Sequence, residues 1–140
     1  MPAHLLFVDD EDEIRNLLQR HFRLLGYTVD NASSGRLALE KMATGRYEVV
    51  ISDIIMPGML GTDLLAHIRK DYPMTRVIMI TGHVTLDHAL DCFRRGAETC
   101  IFKPLADMSE LENAISHAIA WLENWQNKLR ILQGMQREEP

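Results

Sequence analysis

Five short, unbroken apolar runs separated by amphipathic segments leave this chain few folds to choose from. The runs are "HLLFV" (His4–Val8), "YTVD" (Tyr27–Asp30), "EVVIS" (Glu48–Ser52), "RVIMI" (Arg76–Ile80) and "TCIF" (Thr99–Phe102). Runs that are apolar throughout, rather than alternating, read as strands buried on both faces. Between them, Glu11 to Leu25 places Ile14, Leu17, Leu18, Phe22 and Leu25 on one helical face, and Gly26 stops that helix. Ser33 and Ser34 offer caps for a helix to about Met42, and helices are expected near Thr62–Lys70 and Leu86–Arg95, the latter ended by Gly96. Strands alternating with helices predict an α/β fold, a (βα)5 doubly wound parallel sheet of five strands. Its length of 140 residues suits one such core.

The composition excludes several functions. A net charge of −5, with no basic run, argues against a nucleic-acid surface built on counterion release. No apolar stretch approaches the ~20 residues of a membrane span, and no signal peptide opens the chain. The two cysteines, Cys92 and Cys100, lack CxxC spacing, so a reducing cytoplasmic setting is expected.

Doubly wound sheets bind ligands at the carboxyl ends of their strands. The first run here ends in Asp9-Asp10, the third in Asp53, the fourth in Thr81 and the fifth in Lys103. Taken singly, each has a plain structural use: Asp10 is an adequate N-cap, Asp9 favours the helix dipole, and Asp53 can serve a turn ahead of Pro57-Gly58. Four strand ends together call for a common explanation. Two carboxylates about 4 Å apart repel by roughly 1 kcal/mol in water and about 4 kcal/mol at an effective dielectric near 20. Three in one crevice need a cation, and an oxygen-only donor set selects Mg²⁺ (or Mn²⁺) before Zn²⁺. A hydroxyl from Thr81 and an ammonium from Lys103 suit the oxygens of a transferring phosphoryl group, and the remaining carboxylate would be its nucleophile.

With these pieces in order, "FVDDED", "VVISDIIMPGMLG", "VIMITGH" and "FKP", the sequence resembles a response-regulator receiver domain of bacterial two-component signalling over roughly residues 4–122. The resemblance implies a flavodoxin-like strand order 2-1-3-4-5, with Asp53 as phosphoacceptor. It implies Mg²⁺ held by Asp9, Asp10, Asp53 and the backbone carbonyl of Ile55. Thr81 and Lys103 would bind phosphoryl oxygens, and the Lys103-Pro104 bond would be cis. The phosphodonor would be a phosphohistidine on a sensor kinase or phosphotransfer protein, and the receiver would control a downstream partner or output domain. Such a domain catalyses only its own phosphorylation and dephosphorylation. Competing readings fit less well. A haloacid-dehalogenase-type phosphohydrolase needs an acid where Ile55 stands, and a flavodoxin-like cofactor binder needs a phosphate loop where "DDEDE" stands. A phosphorylation-independent docking or dimerisation module is the remaining alternative.

Three positions depart from the family pattern. Receivers usually carry an aromatic three residues before the lysine, where this chain has Cys100. A thiol cannot sweep out the same volume, so switching is expected in the Thr81–Gly82–His83 loop and the fourth helix. Ile55 and His83 stand where the family controls water access to the acyl phosphate. Ile55 is read as a shield and His83 as a rim residue.

From Ser109 onward the chain reads as one helix. Leu111, Ile115, Ala118, Leu122, Trp125, Leu129 and Leu132 step alternately by four and three, a heptad seam. The receiver is expected to span 1–122, leaving 123–140 as a helical extension and polar tail. The extension either folds back, leads to an output domain, or pairs with a second copy as a parallel helical homodimer, the favoured reading. Nothing folded is expected ahead of the first strand, and "QGMQREEP" beyond Leu132 leaves no room for a further module.

Overall fold

The computed structural model describes residues 3–82 and 85–138. Strands β1 (His4–Val8), β2 (Thr28–Ala32), β3 (Val49–Asp53), β4 (Arg76–Thr81) and β5 (Thr99–Phe102) alternate with helices α1 (Asp12–Leu24), α2 (Gly35–Thr44), α3 (Gly61–Asp71), α4 (Leu86–Arg94) and α5 (Ser109–Glu138). All strand pairs are parallel, in the order β2-β1-β3-β4-β5. The α/β class and strand order are as the sequence led one to expect.

The period of two along each strand divides the core. Leu6, Val8, Val50 and Met79 point to the face covered by α2, α3 and α4, where they meet Ala38, Leu65, Ile68 and Cys92. Leu5, Phe7, Ile51 and Ile80 point to the other face, against Leu18 and Phe22 of α1 and Leu111, Ile115 and Ala118 of α5. Both faces are covered, which is why the strands read as continuous apolar runs.

Several boundaries differ from the sequence reading for identifiable reasons. β2 runs on to Ala32 because Asn31 and Ala32 pair in register with Phe7 and Val8, although Asn31 breaks the apolar pattern. β3 and β4 each extend by one residue, so Asp53 and Thr81 are the last residues of their strands rather than the first of loops. Asp10 is not the cap of α1. Glu11 occupies that position without a side-chain bond, and its N–H instead donates to Asp9 Oδ1 at 2.9 Å. Ser34 does cap α2, accepting from Leu37 N at 3.2 Å.

α5 has 30 residues and is about 45 Å long at 1.5 Å per residue. Its seam divides at Leu122. Leu111, Ile115, Ala118 and Leu122 are buried, whereas Trp125, Leu129 and Leu132 are 41%, 43% and 52% exposed. Past Leu122 the described residues continue as the same helix, Ser109–Glu138. Trp121 is covered by the Arg76 guanidinium, 3.8 Å from its ring centre, and packs 6.1 Å from Trp125.

Candidate phosphoryl and metal site

The carboxyl ends of β1, β3, β4 and β5 meet at one edge of the sheet. In register, Asp53 pairs with Ile80, which puts Thr81 one step beyond it, and Thr81 pairs with Phe102, one residue before Lys103. A backbone bond of 2.9 Å from Lys103 N to Thr81 O fixes that last step. The Lys103-Pro104 peptide is cis, as the resemblance implied.

Three carboxylates converge here. Asp9, Asp10 and Asp53 each offer an oxygen within 4.8 Å of the other two. Asp9 and Asp53 are buried and Asp10 is exposed. The Lys103 ammonium lies between the two buried groups, 2.9 Å from Asp9 Oδ2 and 3.1 Å from Asp53 Oδ2, with Glu11 Oε1 at 3.6 Å. Asp53 Oδ1 also accepts from Ile54 N at 2.7 Å.

Burial pushes the Asp53 carboxyl above its ordinary value. Lys103 opposes that rise, and the negative charge of Asp9 adds to it. Burial alone would lower the Lys103 ammonium, but its hydrogen bonds to Asp9 and Asp53 outweigh this and hold it above its ordinary value. Lys103 is therefore a firm cation, while ionised Asp53 is held at a cost. The donor set is oxygen only and mixes buried with exposed carboxylates. It fits a hard divalent cation that keeps some of its water.

The cleft above these groups has a volume of about 470 Å³ and is lined by Asp10, Glu11, Asp53, Ile55, Met56, Pro57, Gly82 and Lys103. Ile55 is at its rim, 36% exposed, while Thr81 lies fully buried beneath it. His83 lies outside the described residues, as does Val84.

Two supporting residues escaped the sequence reading. Gly61 opens α3 directly beneath the site, and its N–H donates to Ile54 O at 2.7 Å. A Cβ there would stand 1.9 Å from Asp53 O, so only glycine lets α3 start so close to β3. Arg15 Nη1 donates to Asp9 O at 2.6 Å and also pairs with Asp12, steadying the turn that presents the acidic pair. The second glycine of "PGMLG" was the only available signal for Gly61. Arg15 had none, because its role depends on a turn that the sequence alone does not specify.

Comparison with known proteins agrees with this geometry. The response regulator receiver domain family matches residues 5–116. The DNA-binding transcriptional regulator NtrC of Escherichia coli (strain K12) is 40% identical over 114 residues, covering 79% of this chain and 24% of NtrC. The regulatory protein AtoC of the same strain is 34% identical over 128 residues, covering 91% of this chain and 27% of AtoC. The chain thus spans about a quarter of the length of these curated relatives. Among solved structures, the signal receiver domain of an HD domain-containing protein from Pseudomonas fluorescens Pf-5 superposes with a TM-score of 0.85 at 30% identity, covering 89% of this chain and 99% of that one. The response regulator TrrA from Thermotoga maritima, solved in complex with Mg(2+)-BeF, superposes with a TM-score of 0.75 at 32% identity, covering 83% and 98% respectively. Fold, strand-end chemistry and sequence agree over residues 5–116, and the chain belongs to the response regulator receiver domains.

Proposed function

We propose that Asp53 accepts a phosphoryl group from a phosphohistidine of a sensor kinase or phosphotransfer protein, and that the modified domain controls a downstream partner or output domain. One observation carries this reading: at the end of a central strand, the Asp53 and Asp9 carboxylates share the Lys103 ammonium beside the open cleft. In this reading Asp9, Asp10, Asp53 and the backbone carbonyl of Ile55 hold Mg²⁺ (or Mn²⁺). The metal supplies charge neutralisation for an incoming phosphoryl group. The relative from Thermotoga, with its Mg(2+)-BeF, supports carrying the metal to this chain.

A carboxylate oxygen of Asp53 attacks phosphorus in line while the donor imidazole departs. Lys103 supplies a compact positive charge to the phosphoryl oxygens from a position already fixed by Asp9. Thr81 is the second donor. Its burial at the end of β4 supports a reading in which a shift following Thr81 brings its hydroxyl to the phosphoryl group. The domain is a phosphoacceptor that turns over no separate substrate, and its setting is the cytoplasm. We assign no direct nucleic-acid or membrane contact to it.

Incubation with acetyl phosphate and Mg²⁺, followed by intact-protein mass measurement, tests the assignment. One phosphoryl group on the wild type and none on Asp53→Asn is the expected result. An unmodified wild type, or label that persists in the variant, overturns it.

The exposed half of the α5 seam supports a second element of the reading. Residues 1–122 form the receiver, and the extension from 123 pairs in parallel with that of a second copy. Light scattering on the full chain and on a chain ending at Leu122 separates the outcomes. A full chain that is already monomeric excludes the dimer and, with it, the docking-module alternative in its dimeric form.

A further inference from the structure

The turn between β1 and α1 is held at Asp9 by four separate bonds. Asp9 N donates to Ala32 O at 3.2 Å, tying the turn to β2. Its Oδ1 accepts from Glu11 N and its Oδ2 from the Lys103 ammonium, each at 2.9 Å. The fourth bond is to its main-chain oxygen, which accepts from Arg15 Nη1 at 2.6 Å. Arg15 stands in the first turn of α1, with its side chain 13% exposed. Its other terminal nitrogen, Nη2, pairs with the Asp12 carboxylate, which lies outside the cluster of Asp9, Asp10 and Asp53. Lys103 thus serves carboxylates of the cluster, while Arg15 serves the backbone that carries them.

The start of α1 gives that backbone bond its weight. Glu11 stands at the N-cap without a side-chain capping bond, so Asp9 Oδ1 and Arg15 supply contacts that set the course of residues 9–11. A planar guanidinium holds two oxygens in a fixed relation, which a flexible ammonium does not. Fixing the Asp9 carbonyl fixes the peptide plane between Asp9 and Asp10. With it are fixed the directions in which the two acidic side chains leave the chain.

We infer that Arg15 is a positioning residue for the divalent cation, raising Mg²⁺ affinity by holding the Asp9–Asp10 peptide so that both carboxylates serve the site. This rests on the proposed assignment of Asp9 and Asp10 as metal ligands.

Two effects of Arg15 on a bound cation oppose each other. By charge it repels Mg²⁺, so its removal would tighten binding. By position it orients the ligands, so its removal weakens binding. Groups that orient metal ligands typically contribute roughly 10–100-fold in metal affinity. A guanidinium already paired with Asp12 projects little net charge toward the site. Position wins, and the sign of the change on substitution separates the two effects.

Calorimetric titration of the full chain with Mg²⁺ reads that sign in wild type, Arg15→Met and Arg15→Lys. Methionine keeps the apolar stem and removes the donors, whereas lysine keeps the charge without the fork. The dissociation constant is expected to rise roughly tenfold in Arg15→Met and by a smaller factor in Arg15→Lys. Labelling of Asp53 by acetyl phosphate should split accordingly. The Mg²⁺ concentration giving half the maximal rate rises by the same factor, while the rate at saturating Mg²⁺ stays within about twofold of wild type. A dissociation constant in Arg15→Met equal to or below that of wild type overturns the inference. So does a lowered rate that saturating Mg²⁺ fails to restore. Should Arg15→Met not fold, Arg15→Lys decides alone: weaker Mg²⁺ binding supports the positioning role, and wild-type affinity overturns it. Failure of the metal assignment is distinguishable and overturns both readings, because wild type then takes up no Mg²⁺.

Discussion

At Gly61 the space available is less than one methyl group, and the backbone of the proposed phosphoacceptor, Asp53, sets that limit. The ideal Cβ falls 1.9 Å from Asp53 O and 2.9 Å from Ile54 Cα, both backbone atoms that cannot swing aside. Gly61→Ala is therefore expected to destabilise the domain by about 3 kcal/mol, read as a lower urea midpoint. It should also slow labelling of Asp53, because the strand end must move to make room. Asp53 itself gives a second prediction, of opposite sign. Burial raises its pKa in the folded state, so its folded form holds a proton more tightly than the unfolded chain does. Stability from this group is present below the unfolded value and is lost as pH rises through the raised one. In chelator at pH 7, Asp53→Asn is expected to melt roughly 2–5 °C above wild type, and the gap should close as pH falls toward 4. A variant that melts below wild type at pH 7 would contradict this account of the buried carboxylate.

Among the elements, α5 carries two different jobs in one periodic pattern. Up to Leu122 its seam covers the sheet, and beyond it Trp125, Leu129 and Leu132 of the same seam are about half exposed. The heptad was legible in sequence because four-three spacing survives without knowledge of the sheet. What the sequence did not reveal was Arg76 clamping Trp121 while pairing with Glu98, since that clamp joins residues of β4 and α5. The strands were legible from unbroken apolar runs, and β2 was cut short only where Asn31 interrupts its run. Leu129 and Leu132 are about half exposed within one chain, so replacing both by Asp should cost the isolated domain less than about 1 kcal/mol. In a paired extension the same residues form the seam. The double variant is expected to be monomeric by light scattering, with thermal unfolding independent of protein concentration. A wild type that already unfolds independently of concentration would remove the basis for the pairing.

For the whole molecule, the candidate site was legible because a parallel sheet sends every strand's carboxyl end to one edge, so Asp9, Asp10, Asp53, Thr81 and Lys103 could be collected as the polar residues at the ends of the apolar runs. Its internal balance was not legible. Sequence offers Lys103 as a phosphate ligand, and only the folded chain has its ammonium between two buried carboxylates at 2.9 and 3.1 Å. Lys103 thus serves as the metal-free counter-ion of the site and competes electrostatically with any cation bound there. In Lys103→Met that competition disappears. Without metal, Asp9 and Asp53 face each other unpaired, and the variant should lose about 3 kcal/mol of stability. Added Mg²⁺ should then recover more in the variant than in wild type. For wild type at one hundred times its dissociation constant, binding contributes about 2.7 kcal/mol. At the same metal concentration the variant should gain more than this, because its affinity is higher, and yet show slower labelling of Asp53. Melting curves across a Mg²⁺ titration measure both sides of the comparison. A Mg²⁺ shift in Lys103→Met equal to or smaller than that of wild type would mean that the lysine and the metal do not share the same carboxylates.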